Sequence, residues 1–253
     1  MNSLAIALAA FVLMLLGAAA AVQLRRRLPD THFNDSAKDI VRLGAGLMAT
    51  IAALVLSLLI STANNDYQMQ RQQLREIVAD IVLVDKLLAE YGPETRAIRE
   101  RQREAVKAFA DAIFRDDRQG PAEAGFMPNE MAHKLHKAIR ALAPTDDHQR
   151  ELRAAALELA ISTARARYVL YEGSESALPT PFLVILIGWL ATLFMSFCLF
   201  SPANRTAIVA LVILALSTAS ALFLLVELST PFGGLISLSD QSLRTALPPL
   251  PPG

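Results

Sequence analysis

The run LGAGLMATIAALVLSLLISTANN, residues 43–65, carries no charge over 23 positions, and about 20 apolar residues in a helix cross the ~30 Å hydrocarbon core of a bilayer. It reads as a transmembrane helix. Beyond its end, Asp66 to Tyr91 contain no proline or glycine, and Leu74, Ile77, Ile81, Val84 and Leu88 recur at steps of three and four. The span is therefore expected to continue as one long helix whose apolar seam faces either its own domain or a second copy. Gly92-Pro93 stops it.

Three further charge-free stretches, Met1–Leu24, Ser176–Asn204 and Thr206–Val226, reach spanning length. The expected fold is an all-α membrane protein: four transmembrane helices in two pairs, with an antiparallel helical soluble domain inserted between spans two and three. Residues 1–65 hold spans one and two with a basic loop, 66–175 the helical stalk, 176–230 the hairpin of spans three and four, and 231–253 an interfacial segment and Pro-rich tail. Within the stalk, Glu94 and Thr95 begin a second helix with Ile98, Ala105, Phe109 and Ile113 on one face. Gly120-Pro121, Gly125 and Pro128 mark a loop. A third helix carries Met131, Leu135, Ile139 and Leu142. Thr145 is expected to cap a fourth, with Leu152, Ala156, Leu159, Thr163, Ala166 and Leu170 as its apolar face.

Apolar residues make up 53% of the chain, concentrated in the four stretches, and 24 Lys and Arg balance 24 Asp and Glu. No global basic field exists to recruit nucleic acid, which is excluded as a partner. The single cysteine, Cys198, lies inside the third stretch and forms no intrachain disulfide. Ala18-Ala19-Ala20-Ala21 offers small residues for signal cleavage, but Arg25-Arg26-Arg27 follow the apolar core and no positive side chain precedes it. That order reads as an uncleaved span with its N-terminus outside.

Short loops set orientation. Arg25, Arg26, Arg27, Lys38 and Arg42 lie between spans one and two and Arg205 between spans three and four, against Arg244 in the tail. The two short loops are thus placed in the cytoplasm, and the stalk and both termini outside a bacterial inner membrane. Arg71, Arg75, Arg165 and Arg167, close to the membrane on the stalk side, pull the other way.

Glu227 follows the fourth stretch without a break, and a carboxylate at that depth is costly unless it meets water, a partner or the interface. It reads as an interfacial helix-end anchor or as a pore or inter-subunit group. Pro231-Phe232-Gly233-Gly234 ends the helix before Leu235-Ile236-Ser237-Leu238, which fits a short interfacial or re-entrant segment or a loop capping the bundle. In span two, Gly44, Gly46, Ala49, Ala52 and Ala53 with Thr50 and Ser57 make one flank small, and span four has Ser217, Thr218, Ser220 and Ala221. Such flanks let helices approach closely, with hydroxyls bonding across, or line a permeation path. Leu56 and Ile60 are candidates for a hydrophobic gate around an axis.

Glu130, His133 and His136 fall at i, i+3 and i+6, a spacing that suits a solvated face better than a zinc site. His32 between Asp30 and Asp35 belongs to a juxtamembrane charge cluster near anionic lipid. No Walker loop, dinucleotide fingerprint, HExxH motif or nucleophile elbow occurs, so no metal, cofactor or enzymatic activity is expected.

Two spans, a helical insert and two more spans resemble the bacterial bestrophin-like four-span membrane proteins. The matching residues are His32-Phe33-Asn34-Asp35, Leu87-Leu88-Ala89-Glu90-Tyr91-Gly92-Pro93-Glu94, Ser201-Pro202-Ala203-Asn204 and Glu227-Leu228-Ser229-Thr230-Pro231-Phe232-Gly233-Gly234-Leu235-Ile236. The last departs from the family at Ser229, where an acidic residue is usual. The resemblance implies a homo-oligomeric ring, a pentamer by analogy, with an anion pathway lined by span two. It also implies a cytoplasmic helical part, opposite to the placement from the loop charges.

Two functions follow. The first is an oligomeric ion channel in the lipid bilayer, passing ions along an axis lined by Thr50, Ser57, Leu56 and Ile60. The alternative is a non-catalytic membrane scaffold or sensor whose stalk docks a protein partner.

Overall fold

The structure, a computed structural model, describes residues 3–27, 35–114, 133–173, 180–200 and 205–230, with single positions at 232, 243, 245–247 and 250. All regular structure among them is helical. Helix α1 is Ser3–Arg27, α2 Asp35–Tyr91, α3 Arg96–Ile113, α4 residues 133–140, α5 Asp147–Gly173, α6 Thr180–Phe200 and α7 Arg205–Leu228. Four of these, α1, α2, α6 and α7, are long and apolar enough to cross a membrane. The seven helices divide into two compact units. One contains residues 1–67 and 177–230, the other residues 68–176 and 231–253.

Helix α2 runs unbroken for 57 residues, about 85 Å at ~1.5 Å per residue. Its end is chemical. Gly92 has φ +145° and ψ 173°, a region that essentially only glycine occupies and that costs other residues about 1–3 kcal/mol. Pro93 then opens a short 3₁₀ turn over Pro93–Thr95, and the buried Thr95 hydroxyl donates to the carbonyls of Leu88 and, at 2.7 Å, Gly92. The Tyr91-Gly92-Pro93 motif is thus a corner that satisfies the last carbonyls of α2.

In the first unit, α1 packs on α6 and α7. Its core takes Ala10 and Met14 from α1, Ala45, Ala52 and Ala63 from α2, Leu186, Leu190 and Phe194 from α6, and Ala215, Ala219 and Leu222 from α7. Alanines of α2 and α7 share this core with the large side chains of α6 and with Leu222 and Leu225 of α7. At Gly17 a β-carbon would lie 2.8 Å from the carbonyl oxygen of Ala191, so the backbones of α1 and α6 come into close contact at that point. The rest of the apolar surface, including Leu4, Leu8, Leu43 and Ile213, is exposed, as helices that are apolar all round require in lipid.

In the second unit the α2 seam is turned inward: Leu74, Ile77, Ile81, Val84 and Leu88 are all buried. Val84 and Leu88 meet Ile98 of α3, Leu135 and Ile139 of α4, and Ala156 of α5. The seam therefore faces its own domain. One terminus differs from the sequence reading, because Asp146, not Thr145, caps α5. The Gln149 amide donates to Asp146 Oδ1 at 2.7 Å, while Gln149 Oε1 accepts from the Thr145 amide and hydroxyl. Asp146 occupies the N-cap position, from which its carboxylate reaches the N3 amide, and Thr145 is left one position outside the helix.

Candidate functional site

Successive helix positions turn by about 100°, which resolves α2 between residues 43 and 64 into three faces. Ala45, Met48, Ala49, Ala52, Leu56, Leu59 and Ala63 pack on the core. Leu43, Leu47, Ile51, Leu54 and Leu58 form an exposed apolar face. Between these lies an exposed face of small or polar residues, Gly46, Thr50, Ala53, Ser57, Ser61 and Asn64. The single small flank expected from the sequence is thus two faces. Ala49 and Ala52 turn inward, and Thr50 and Ser57 stand outside. Leu56 and Ile60, the gate candidates, are partly buried against the intramolecular core.

The hydroxyls also differ from expectation. Thr50 donates to Gly46 O at 3.0 Å, Thr218 to Leu214 O at 2.8 Å and Ser220 to Leu216 O at 2.9 Å. Each bonds four residues back on its own helix instead of across to a neighbour, because that carbonyl is the nearest acceptor in an apolar surround.

Glu227, at the end of α7, is fully buried, and its carboxylate accepts a 2.5 Å hydrogen bond from the Ser3 hydroxyl at the start of α1. Burial demands such partners for a carboxylate. The side chain faces the inside of its own bundle, so the contact ties the beginning of the first span to the end of the last. Ser229 and Thr230 spend their hydroxyls on the carbonyls of the last turn of α7.

Two charged groups of the helical unit have roles that the sequence does not reveal. Asp85 of α2 accepts a bidentate pair from Arg99 of α3, Nε and Nη2 both at 2.9 Å, and a further bond from Arg103 at 3.2 Å. Arg167 of α5, which in sequence looks like a juxtamembrane surface charge, is 6% exposed with its guanidinium 4.9 Å above the Phe109 ring. Burial lowers its pKa to about 10, so it stays charged at neutral pH.

Among the family-motif residues, Tyr91 is buried at the α2 corner, and its carbonyl accepts from Gln149 Nε2 at 3.0 Å. Phe232 is buried edge-to-face on Phe114, with centroids 5.7 Å apart. His32, Asn34, Pro202, Asn204, Pro231 and Gly233 lie outside the described residues, as do Gly234 to Leu238, Glu130 and the 115–132 segment. Asp35 is described in its backbone alone. Among the described residues no three His, Cys, Asp or Glu side chains come together as metal ligands.

A family model described as a Bestrophin-like domain matches residues 12–243. No curated protein matches. Among solved structures, a bacterial bestrophin homologue from Klebsiella pneumoniae superposes with a TM-score of 0.65 at 15% identity, over 94% of this chain and 96% of that one. At that identity the likeness is one of fold.

Proposed function

The chain belongs to the Bestrophin-like family, and on that premise we propose that it is an oligomeric membrane channel in which copies of α2 surround a common axis. The observation that carries this reading is the exposed face of Gly46, Thr50, Ala53, Ser57, Ser61 and Asn64. An isolated span has no use for a face that is neither core nor lipid-like. Around an axis, small residues admit close neighbours and their polar groups meet water and ions. Ile60 borders this face and is the position for a narrow apolar ring. Anions are the proposed cargo, a pentamer the proposed assembly, and the helical part an antiparallel insert between spans two and three.

Purified protein in planar bilayers is expected to show unitary currents. Ser57→Leu should cut them by roughly tenfold or more through dewetting, while Leu54→Ala on the lipid face leaves them intact. Silence of folded protein at all voltages sinks the channel reading. The second reading, a scaffold or sensor, draws on the exposed Ile161, Tyr168 and Val169 of α5. It gains if crosslinking finds a stable partner there and no conductance appears.

We place the protein in a bacterial inner membrane with Arg25 to Arg27 and Arg205 cytoplasmic and the helical insert outside. In a Cys198→Ser background, a membrane-impermeant thiol reagent should label Gln72→Cys in intact cells and spare Arg26→Cys. The reverse pattern inverts the topology.

A further inference from the structure

Inside the helical unit, a partly open cavity of about 20 Å³ is lined by Arg167, Gln102 and Thr163 among apolar side chains such as Val84, Leu135 and Ala160. Its polar walls are poorly matched by protein. Arg167 Nε and Gln102 Oε1 are buried without a hydrogen-bond partner, and no carboxylate among the described residues pairs with the Arg167 guanidinium. Gln102 is fixed by donating Nε2 to the Ile81 carbonyl at 2.8 Å, and the Thr163 hydroxyl is spent on Leu159 O at 2.7 Å. The Phe109 ring offers its negative face to one side of the guanidinium, which eases the charge but does not neutralise it.

We propose that this cavity is a halide-binding site in which a single chloride or bromide ion is the counter-charge of Arg167. Size sets the ligand class. A cavity of ~20 Å³ takes about one water-sized particle, so a monatomic ion fits and a carboxylate- or phosphate-bearing molecule does not. Charge chooses between the two small occupants. A lone water would accept from Arg167 Nε and donate to Gln102 Oε1, but it leaves a full buried charge uncompensated. A halide leaves one amide oxygen unmatched and faces its negative end, a dipole repulsion smaller than the attraction to the full charge of Arg167. Apolar walls on most sides lower the local dielectric and strengthen the ion pair. The site lies within the helical unit and not on the exposed α2 face, so it stands apart from the channel reading.

The test is thermal unfolding of the full chain in detergent, with sodium chloride or bromide replacing sodium gluconate at constant ionic strength. A halide at about tenfold its Kd should raise the midpoint by roughly 3–6 °C and then saturate. Ala160→Leu, which fills the cavity without touching the charge, should abolish the rise, as should Arg167→Met if that variant folds. Crystals grown in bromide should show anomalous density beside Arg167 Nε. Equal midpoints in halide and gluconate, an unchanged response in Ala160→Leu, or a cavity without anomalous density would overturn the proposal and leave a buried water.

Discussion

Gly17→Val is expected to lower the thermal midpoint of the detergent-solubilised protein by about 6–12 °C, equivalent to about 3 kcal/mol. Gly17→Ala should already lose about 1–2 kcal/mol. The reason is local and steric. Even the first carbon of a side chain at residue 17 falls 2.8 Å from Ala191 O, a backbone atom of α6 that no rotamer change can move. The two helices must separate, and Met14 of α1, wholly buried one turn earlier, loses its packing against the α6 and α7 side chains. In a membrane that loss is not offset by a hydrophobic drive to reclose, because lipid solvates the apolar faces as well as protein does. Gly188 and Gly44 serve as controls, since a β-carbon there meets nothing within 4 Å. Alanine at either should be neutral within about 0.5 kcal/mol. If Gly17→Ala behaves like Gly188→Ala, the close crossing of α1 and α6 is wrong.

Gly17 also shows where sequence reading stops. The four spans are legible because absence of charge over twenty positions has one physical cause. The Gly92-Pro93 corner is legible because both residues forbid the helix to continue. The seam from Leu74 to Leu88 is legible as a seam, but a period of three and four does not say whether the partner is the same chain. The face occupied by Thr50 and Ser57 needed neighbours to separate it from Ala49 and Ala52, since all are small and only burial tells them apart. Gly17 precedes an alanine run that reads as a candidate cleavage site, and its contact, Ala191, is remote in sequence. Arg167 and Phe109 are likewise remote, and an arginine near a span reads by default as a surface charge. Nothing in a one-dimensional pattern marks a cation that the fold takes inside.

Asp85→Asn is expected to destabilise the helical unit by about 2–3 kcal/mol at pH 7, with Arg99 and Arg103 left facing one another across the space the carboxylate had occupied. All three side chains are about four-fifths or more buried, with side-chain exposures of 11%, 21% and 18%, so solvent screening offsets little of the repulsion. Asparagine keeps the shape and removes the charge, which isolates electrostatics from packing. Burial raises the Asp85 carboxyl, but the bonds and charges of Arg99 and Arg103 outweigh it and hold the group below its ordinary 3.8. A carboxyl with a depressed folded pKa stabilises fully above its unfolded value and loses that contribution as pH falls through the folded one. The gap between wild type and Asp85→Asn should therefore be constant from pH 8 to 5 and close below about pH 4. Asp85 lies well past Asn65, where the charge-free run ends, so denaturant unfolding followed by circular dichroism reads the effect from the helical unit. A gap that persists unchanged at pH 3 would mean that the difference comes from the introduced amide and not from the lost charge. The bidentate geometry to Arg99 would then be incidental.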